Sequence, residues 1–186
     1  MKHLLLLAML LCWATCSLPT DQAKAPVVHT AYSLGQFIKA EQARLAQLPG
    51  PFVKTVQVDD QTETKELEQL DWANELEIFA KADINKPAWR GKYIVDSLFA
   101  PDGSLKALHY QAQDKKLKIR TFNVYFHQGQ VDYIEIKKQA NSLVSSATVY
   151  MKYDPDTGYY IENQQKTALS SPHILRISVT FVNKSR

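Results

Sequence analysis

The stretch SSATVYMKYDPDTGYYIENQQK, residues 145–166, decides the fold. Two runs rich in β-branched and aromatic residues, 145–153 and 159–166, flank the turn-forming string Asp154-Pro155-Asp156-Thr157-Gly158. A connection this short joins only antiparallel neighbours, because a parallel crossover needs roughly a dozen residues or more. The Asp-rich string superficially suggests a calcium loop, but no bidentate Glu follows at the required position, so a hairpin turn is the simpler reading.

The same pattern extends in both directions. Upstream, runs at 93–100, 105–112, 117–127 and 131–139 are separated by turn residues such as Pro101-Asp102-Gly103-Ser104 and Gln128-Gly129-Gln130. Downstream, Leu175, Ile177, Val179 and Phe181 alternate with Arg176, Ser178 and Thr180, which describes a strand buried on one face and wet on the other. Residues 52–58 form a further strand. Residues 62–69 are ambiguous between a returning strand and the start of a helix, with the strand favoured.

A one-faced sheet needs a cover. In residues 33–48, Leu34, Phe37, Ile38, Leu45 and Leu48 recur at helical spacing, with Ser33 and Gln36 spaced as a capping box and Pro49-Gly50-Pro51 as a stop. Residues 72–82 form a second amphipathic helix, with Asp71 as N-cap and Trp72, Leu76, Phe79 and Ala80 facing the core. The expectation is therefore an α+β fold: a twisted antiparallel meander of seven to nine strands, in outline a half-barrel, covered by two helices.

The N-terminus carries a different signal. Lys2 and His3 precede an uninterrupted apolar run, Leu4 to Leu11, too short to span a bilayer and suited to the hydrophobic region of an export leader. The alternative is a buried helix, which the polar sequence that follows disfavours. Trp13-Ala14-Thr15-Cys16 resembles a bacterial lipobox, with Trp13 where Leu is usual and Thr15 where Gly or Ala is usual. That resemblance implies lipidation of Cys16; the other cleavage patterns are Cys12-Trp13-Ala14 and Ala23-Lys24-Ala25, the latter followed by Pro26. Both cysteines, Cys12 and Cys16, lie here, so no disulfide or thiol chemistry is expected in the remainder. The expected organisation is a leader at 1–15, a polar tether at 16–30 and one domain at 31–186.

Net charge is +3, one unit of it on Lys2 in the leader, which gives no reason to expect nucleic acid as a partner. No nucleotide-binding or nucleophile-elbow pattern occurs, and His29, His109, His127 and His173 show no ligand spacing, so neither metal nor cofactor is expected. By strand counting, His109 falls opposite about Arg120. Lys115, Lys116, Lys118, Arg120, Lys137 and Lys138 form a basic cluster that would either face anionic head groups or simply solvate an edge. Eight of nine tyrosines lie from Tyr93 onward, consistent with sheet packing or with an amphipathic binding surface. Candidate ligand-contacting aromatics are Trp72, Phe79, Trp89, Tyr110, Phe122 and Tyr150.

The stretch Asp71-Trp72-Ala73-Asn74-Glu75-Leu76-Glu77-Ile78-Phe79, with Ala82-Asp83-Ile84-Asn85-Lys86-Pro87-Ala88, resembles a motif of small uncharacterised envelope lipoproteins of Bacteroidetes-type bacteria. The resemblance implies a Gram-negative envelope, where relaxed lipoboxes are usual, and brings no activity or catalytic residue with it. The helix-plus-sheet plan is similar in outline to periplasmic lipoprotein carriers, an architectural likeness alone. The leading expectation is a non-enzymatic lipoprotein held by its lipid on the periplasmic side of the outer membrane, acting as a binding or scaffolding module. The alternatives are a carrier with an apolar cavity between sheet and helices, then an envelope hydrolase; a soluble periplasmic or secreted form is the alternative location.

Overall fold

The computed structural model describes residues 31–168 and 171–182. The leader, the cleavage patterns, Cys16, His29 and the 16–30 tether lie outside the described residues. Nine strands form one open antiparallel sheet: β1 (Phe52–Val58), β2 (Gln61–Leu67), β3 (Tyr93–Phe99), β4 (Leu105–Ala112), β5 (Ile119–His127), β6 (Gln130–Asn141), β7 (Ser145–Asp154), β8 (Gly158–Thr167) and β9 (His173–Phe181). Their spatial order is β2-β1-β9-β8-β7-β6-β5-β4-β3. The seven later strands are the expected meander. The β1–β2 hairpin is added to its end, with Phe52 opposite Phe181 and Val58 opposite Leu175. The ambiguous 62–69 segment is thus strand as far as Leu67, pairing with β1 over that length.

Alternation sorts the side chains. Phe52, Val179, Phe181, Tyr159, Ile161, Met151, Tyr153, Ile134, Ile136, Phe122, Val124 and Tyr110 project to one face and are buried. The opposite face is polar and aromatic. There Tyr125 and Tyr133 stack at 4.2 Å, and Lys152 sits 4.3 Å over the Tyr133 ring. Glu162 binds Arg176 at 2.7 Å and accepts from Tyr160 at 2.8 Å, which pulls its carboxyl down to about 2. Gly158 opens β8 at φ 125°, and a Cβ there would lie 1.9 Å from the Val179 carbonyl oxygen, so only glycine lets β8 lie this close to β9.

Helix α1 (Leu34–Leu45) and the short helices α2 (Trp72–Glu75) and α3 (Glu77–Ala80) cover the apolar face. The expected continuous helix over 72–82 is therefore broken. Leu76 sits between α2 and α3 at φ −96°, ψ 1°, outside the helical well. The break lets one segment serve two sites: Trp72 meets Phe52 and Phe181 edge-on at 5.0 and 5.7 Å, and Phe79 meets Tyr153 and Tyr159 edge-on at 5.8 and 5.9 Å. The capping box at Ser33 also fails, since Ser33 makes no side-chain cap bond. A carboxylate from elsewhere takes its place: Asp83 Oδ2 accepts from the Gly35 N–H at 3.0 Å. Asn85 completes this dock by donating to the Tyr32 carbonyl at 2.9 Å.

Two carboxylates, Glu41 buried and Glu75 half-buried, pin the helices to the sheet. Glu41 of α1, which the hydrophobic pattern did not single out, accepts from Tyr153 Oη at 2.5 Å and from Arg44 Nη2 at 2.7 Å. Arg44 in turn donates to the Pro155 carbonyl at 2.8 Å, clamping the β7–β8 turn. Glu75 of α2 binds Lys54 Nζ at 2.6 Å and accepts from Tyr159 Oη. Tyr153 and Tyr159 are cross-strand partners, so both pins enter the sheet at one place.

Removing the packing at this place costs more than removing one hydrogen bond. Phe79→Ala is expected to lose about 3–5 kcal/mol and Tyr153→Phe about 1.5–3 kcal/mol, compared by urea unfolding midpoints. Burial and the adjacent carboxylates push the Tyr153 and Tyr159 hydroxyls well above the ordinary tyrosine value. Folding thus favours the un-ionised phenols. Their contribution is complete below about pH 10 and falls away as pH rises beyond it. Urea midpoints measured from pH 8 to 11 should decline, and Tyr153→Phe should flatten that decline; an unchanged slope would show that Tyr153 is not among the groups responsible.

Candidate functional site

Beside the pinned core, a cleft of about 430 Å³ opens between α3, the short 3-10 turn Pro87–Trp89, the start of β5 and the middle of β6. Its apolar lining comes from Ile78, Ala82, Trp89, Leu117 and Ile119. Its rim carries five lysines, Lys81, Lys86, Lys116, Lys118 and Lys138, and no acidic residue lines it.

The walls are held from behind. Arg120 Nη1 donates to the Asp114 and Leu117 carbonyls at 2.6 and 3.3 Å, tying down the β4–β5 turn. Asp114 Oδ1 accepts from the Lys116 N–H at 2.8 Å. Tyr93 Oη donates to the Ile119 carbonyl at 3.0 Å, and burial pushes this hydroxyl up to about 12. The Gln139 N–H donates to the Lys118 carbonyl at 2.8 Å, which sets β6 beside the mouth. On the helical side, Lys86 Nζ sits 4.4 Å over the Trp89 ring, a cation–π contact that orients both groups.

The charge on the rim is only partly compensated. Lys81 pairs with Glu77 at 2.7 Å, both exposed, which is worth little in water. The amino groups of Lys116, Lys118 and Lys138 make no ion pair or hydrogen bond among the described residues. An apolar floor under unpaired cations suits a ligand that joins an apolar body to an anionic group. It offers no nucleophile, no carboxylate pair and no metal ligand set; among the described residues no group of three His, Cys, Asp or Glu gathers anywhere.

Of the six aromatics singled out in the sequence, the cleft contains Trp89 alone. Trp72 and Phe79 are core residues of the helical cover, and Tyr110 stacks on Phe122 at 5.3 Å, both buried. Tyr110 Oη accepts from the Tyr32 N–H at 2.9 Å, and so positions the entry to α1. Tyr150 lies on the opposite face of the sheet and donates to Glu135 at 2.7 Å. His109 pairs with Asn123, not Arg120, because β5 begins at Ile119 after a longer turn than the strand count assumed. His173 Nδ1 lies 3.0 Å from Asp59 Oδ2. The basic cluster at 115–120 and 137–138 supplies three of the five rim lysines; Lys81 and Lys86 were missed, because they come from a separate segment that precedes β3 and β4.

No family model, curated protein or solved structure matches this chain. Among the described residues no helix is long and apolar enough to cross a membrane.

Proposed function

We propose that the protein is a non-catalytic binding module of a bacterial envelope, whose lysine-rimmed cleft takes a ligand with an apolar body and an anionic group. The single observation that carries this reading is the concentration of five lysines, with no acidic residue, around an apolar floor containing Trp89. The volume, about 430 Å³, falls within the roughly 300–1,000 Å³ usual for small-molecule sites.

The envelope location rests on the leader, Leu4 to Leu11, and on the confinement of cysteine to Cys12 and Cys16, with lipidation of Cys16 as the membrane attachment. The likeness of residues 71–88 to envelope lipoproteins points the same way. The filled space between helices and sheet argues against the carrier reading. Leu34, Ile38, Leu45, Leu76 and Phe79 are shielded from solvent there, so a whole acyl chain would have to displace them. The ligand sits at the margin of the helical cover and not beneath it.

The test is calorimetric titration of the full chain with three probes: dodecyl phosphate, dodecyl maltoside and inorganic phosphate. Dodecyl phosphate should bind best, because only it satisfies both floor and rim. Lys118→Glu with Lys138→Glu should weaken it by roughly tenfold, the combined effect of two partly exposed charge contacts, and leave dodecyl maltoside unaffected. Equal affinity for phosphate and maltoside detergents, or no change in the double variant, would sink the reading.

A further inference from the structure

We propose that the tip of the β6–β7 hairpin, Leu143 with Val144, inserts into the head-group layer of an anionic bilayer while the lysines around its base face the lipid phosphates. Leu143 is fully exposed and Val144 is 67% exposed, an adjacent apolar pair at the end of a hairpin. β6 is the longest strand of the sheet, and its last three residues run past the point where pairing with β5 ends at Lys138. Beyond Gln139, whose N–H still reaches the Lys118 carbonyl, the tip has no ladder pairing on that side.

The backbone of the tip is prepared for a drier setting. The Ser142 N–H donates to the Ser145 carbonyl at 2.7 Å, and Ser142 Oγ accepts from the Val144 and Ser145 N–H groups at 3.4 and 3.0 Å. The Val144 carbonyl accepts from the Ala168 N–H at 3.0 Å. These polar groups would otherwise have to be stripped of water on insertion, which is the main cost of placing a turn in a bilayer interface.

Charge selects the partner. Lys166 lies beside Ser146, which lies beside Asn141 at the base of the tip. Lys137 and Lys138 stand on β6 a few residues below, and Lys115 and Lys116 occupy the neighbouring β4–β5 turn at the same end of the sheet. The acidic residues of that end are committed or distant: Asp114 accepts from the Lys116 N–H, and Asp59 and Asp60 lie in the β1–β2 turn, beyond β8 and β9, where Asp59 binds His173 and the Ile174 N–H. Two apolar side chains are far less than the roughly 800 Å² per partner of a specific protein interface. They suffice, with surrounding lysines, for an anionic membrane surface. Lys116 and Lys138 also line the cleft, whereas Leu143, Val144, Lys137 and Lys166 do not.

The absence of cysteine after Cys16 allows a direct test. In the full chain with Cys12→Ala and Cys16→Ala, an environment-sensitive dye is placed on Leu143→Cys or, as control, on Phe99→Cys at the opposite end of the sheet. Vesicles of phosphatidylglycerol and phosphatidylcholine in equal parts should shift the emission at position 143 to the blue and leave position 99 unchanged. Vesicles of phosphatidylcholine alone should shift neither. Binding through the leader would bring the chain to vesicles without this local signal. Lys137→Glu with Lys166→Glu should abolish the shift, and Leu143→Asp with Val144→Asp should weaken vesicle co-sedimentation while dodecyl phosphate titration stays as in the parent chain. A dye at position 143 that remains in water while the chain sediments with vesicles, or a chain that never sediments with them, overturns the proposal.

Discussion

The structure depends on one pair of side chains. Tyr153 and Tyr159 stand side by side on β7 and β8, and everything that covers the sheet is attached to them. Glu41 brings α1 down onto the first, Glu75 brings α2 down onto the second, and the Phe79 ring closes edge-on against both. A phenol is suited to this place because it donates to a carboxylate without adding a charge of its own. Arg44 and Lys54 supply the charge balance from the sides, so neither carboxylate is buried unpaired. Burial raises both phenols, which keeps them in the donating form across the neutral range.

This pair also decides where the cleft lies. The cover consists of the twelve residues of α1 and two single-turn helices. Fixing the cover over β7 and β8 leaves a margin toward the start of β5, and the chain leaving α3 passes along that margin. Asp83 caps α1 there, Asn85 holds the Tyr32 carbonyl, and Lys86 and Trp89 follow as the outer wall of the cleft. The residues of 71–88 that stood out in the sequence therefore have a shared physical role. They cap, bury and pin the cover, and the cleft wall is what remains once that is done.

The sheet was largely legible because alternation and turn chemistry are local. Runs of period two bounded by Pro, Gly and Asp gave nearly every strand, and the expected count of seven to nine brackets the nine present. What could not be read locally was whatever depends on a partner distant in sequence. The break at Leu76 was invisible because Trp72, Leu76 and Phe79 fit a continuous helix as well as a bent one; the two aromatic sockets that require the bend belong to β1, β7, β8 and β9. Glu41 was not singled out because its partner is Tyr153, 112 positions away. Ser33 looked like a cap until Asp83 arrived from another loop to do that work. The cleft was half legible: the lysines of β5 and β6 were visible as a cluster, and Trp89 as an aromatic, but nothing in the sequence placed Lys81 and Lys86 against them.

The distribution of charge divides the molecule into two parts. Over the sheet's covered half, Glu41 and Glu75 each have a cation and a phenol, and that group of charges is self-contained. At the other end, Lys116, Lys118, Lys138 and Lys166 make no ion pair among the described residues. A sheet edge needs some charge to resist pairing with another sheet, and β2, with Glu63, Lys65 and Glu66 exposed along it, meets that need with both signs. One sign alone is a different arrangement, since like charges repel one another and cost stability where they gather. Lysines crowded around an apolar floor and beside an exposed Leu-Val tip are poorly explained by folding. The anionic ligand proposed for the cleft and the anionic surface proposed for the tip would each account for part of that placement.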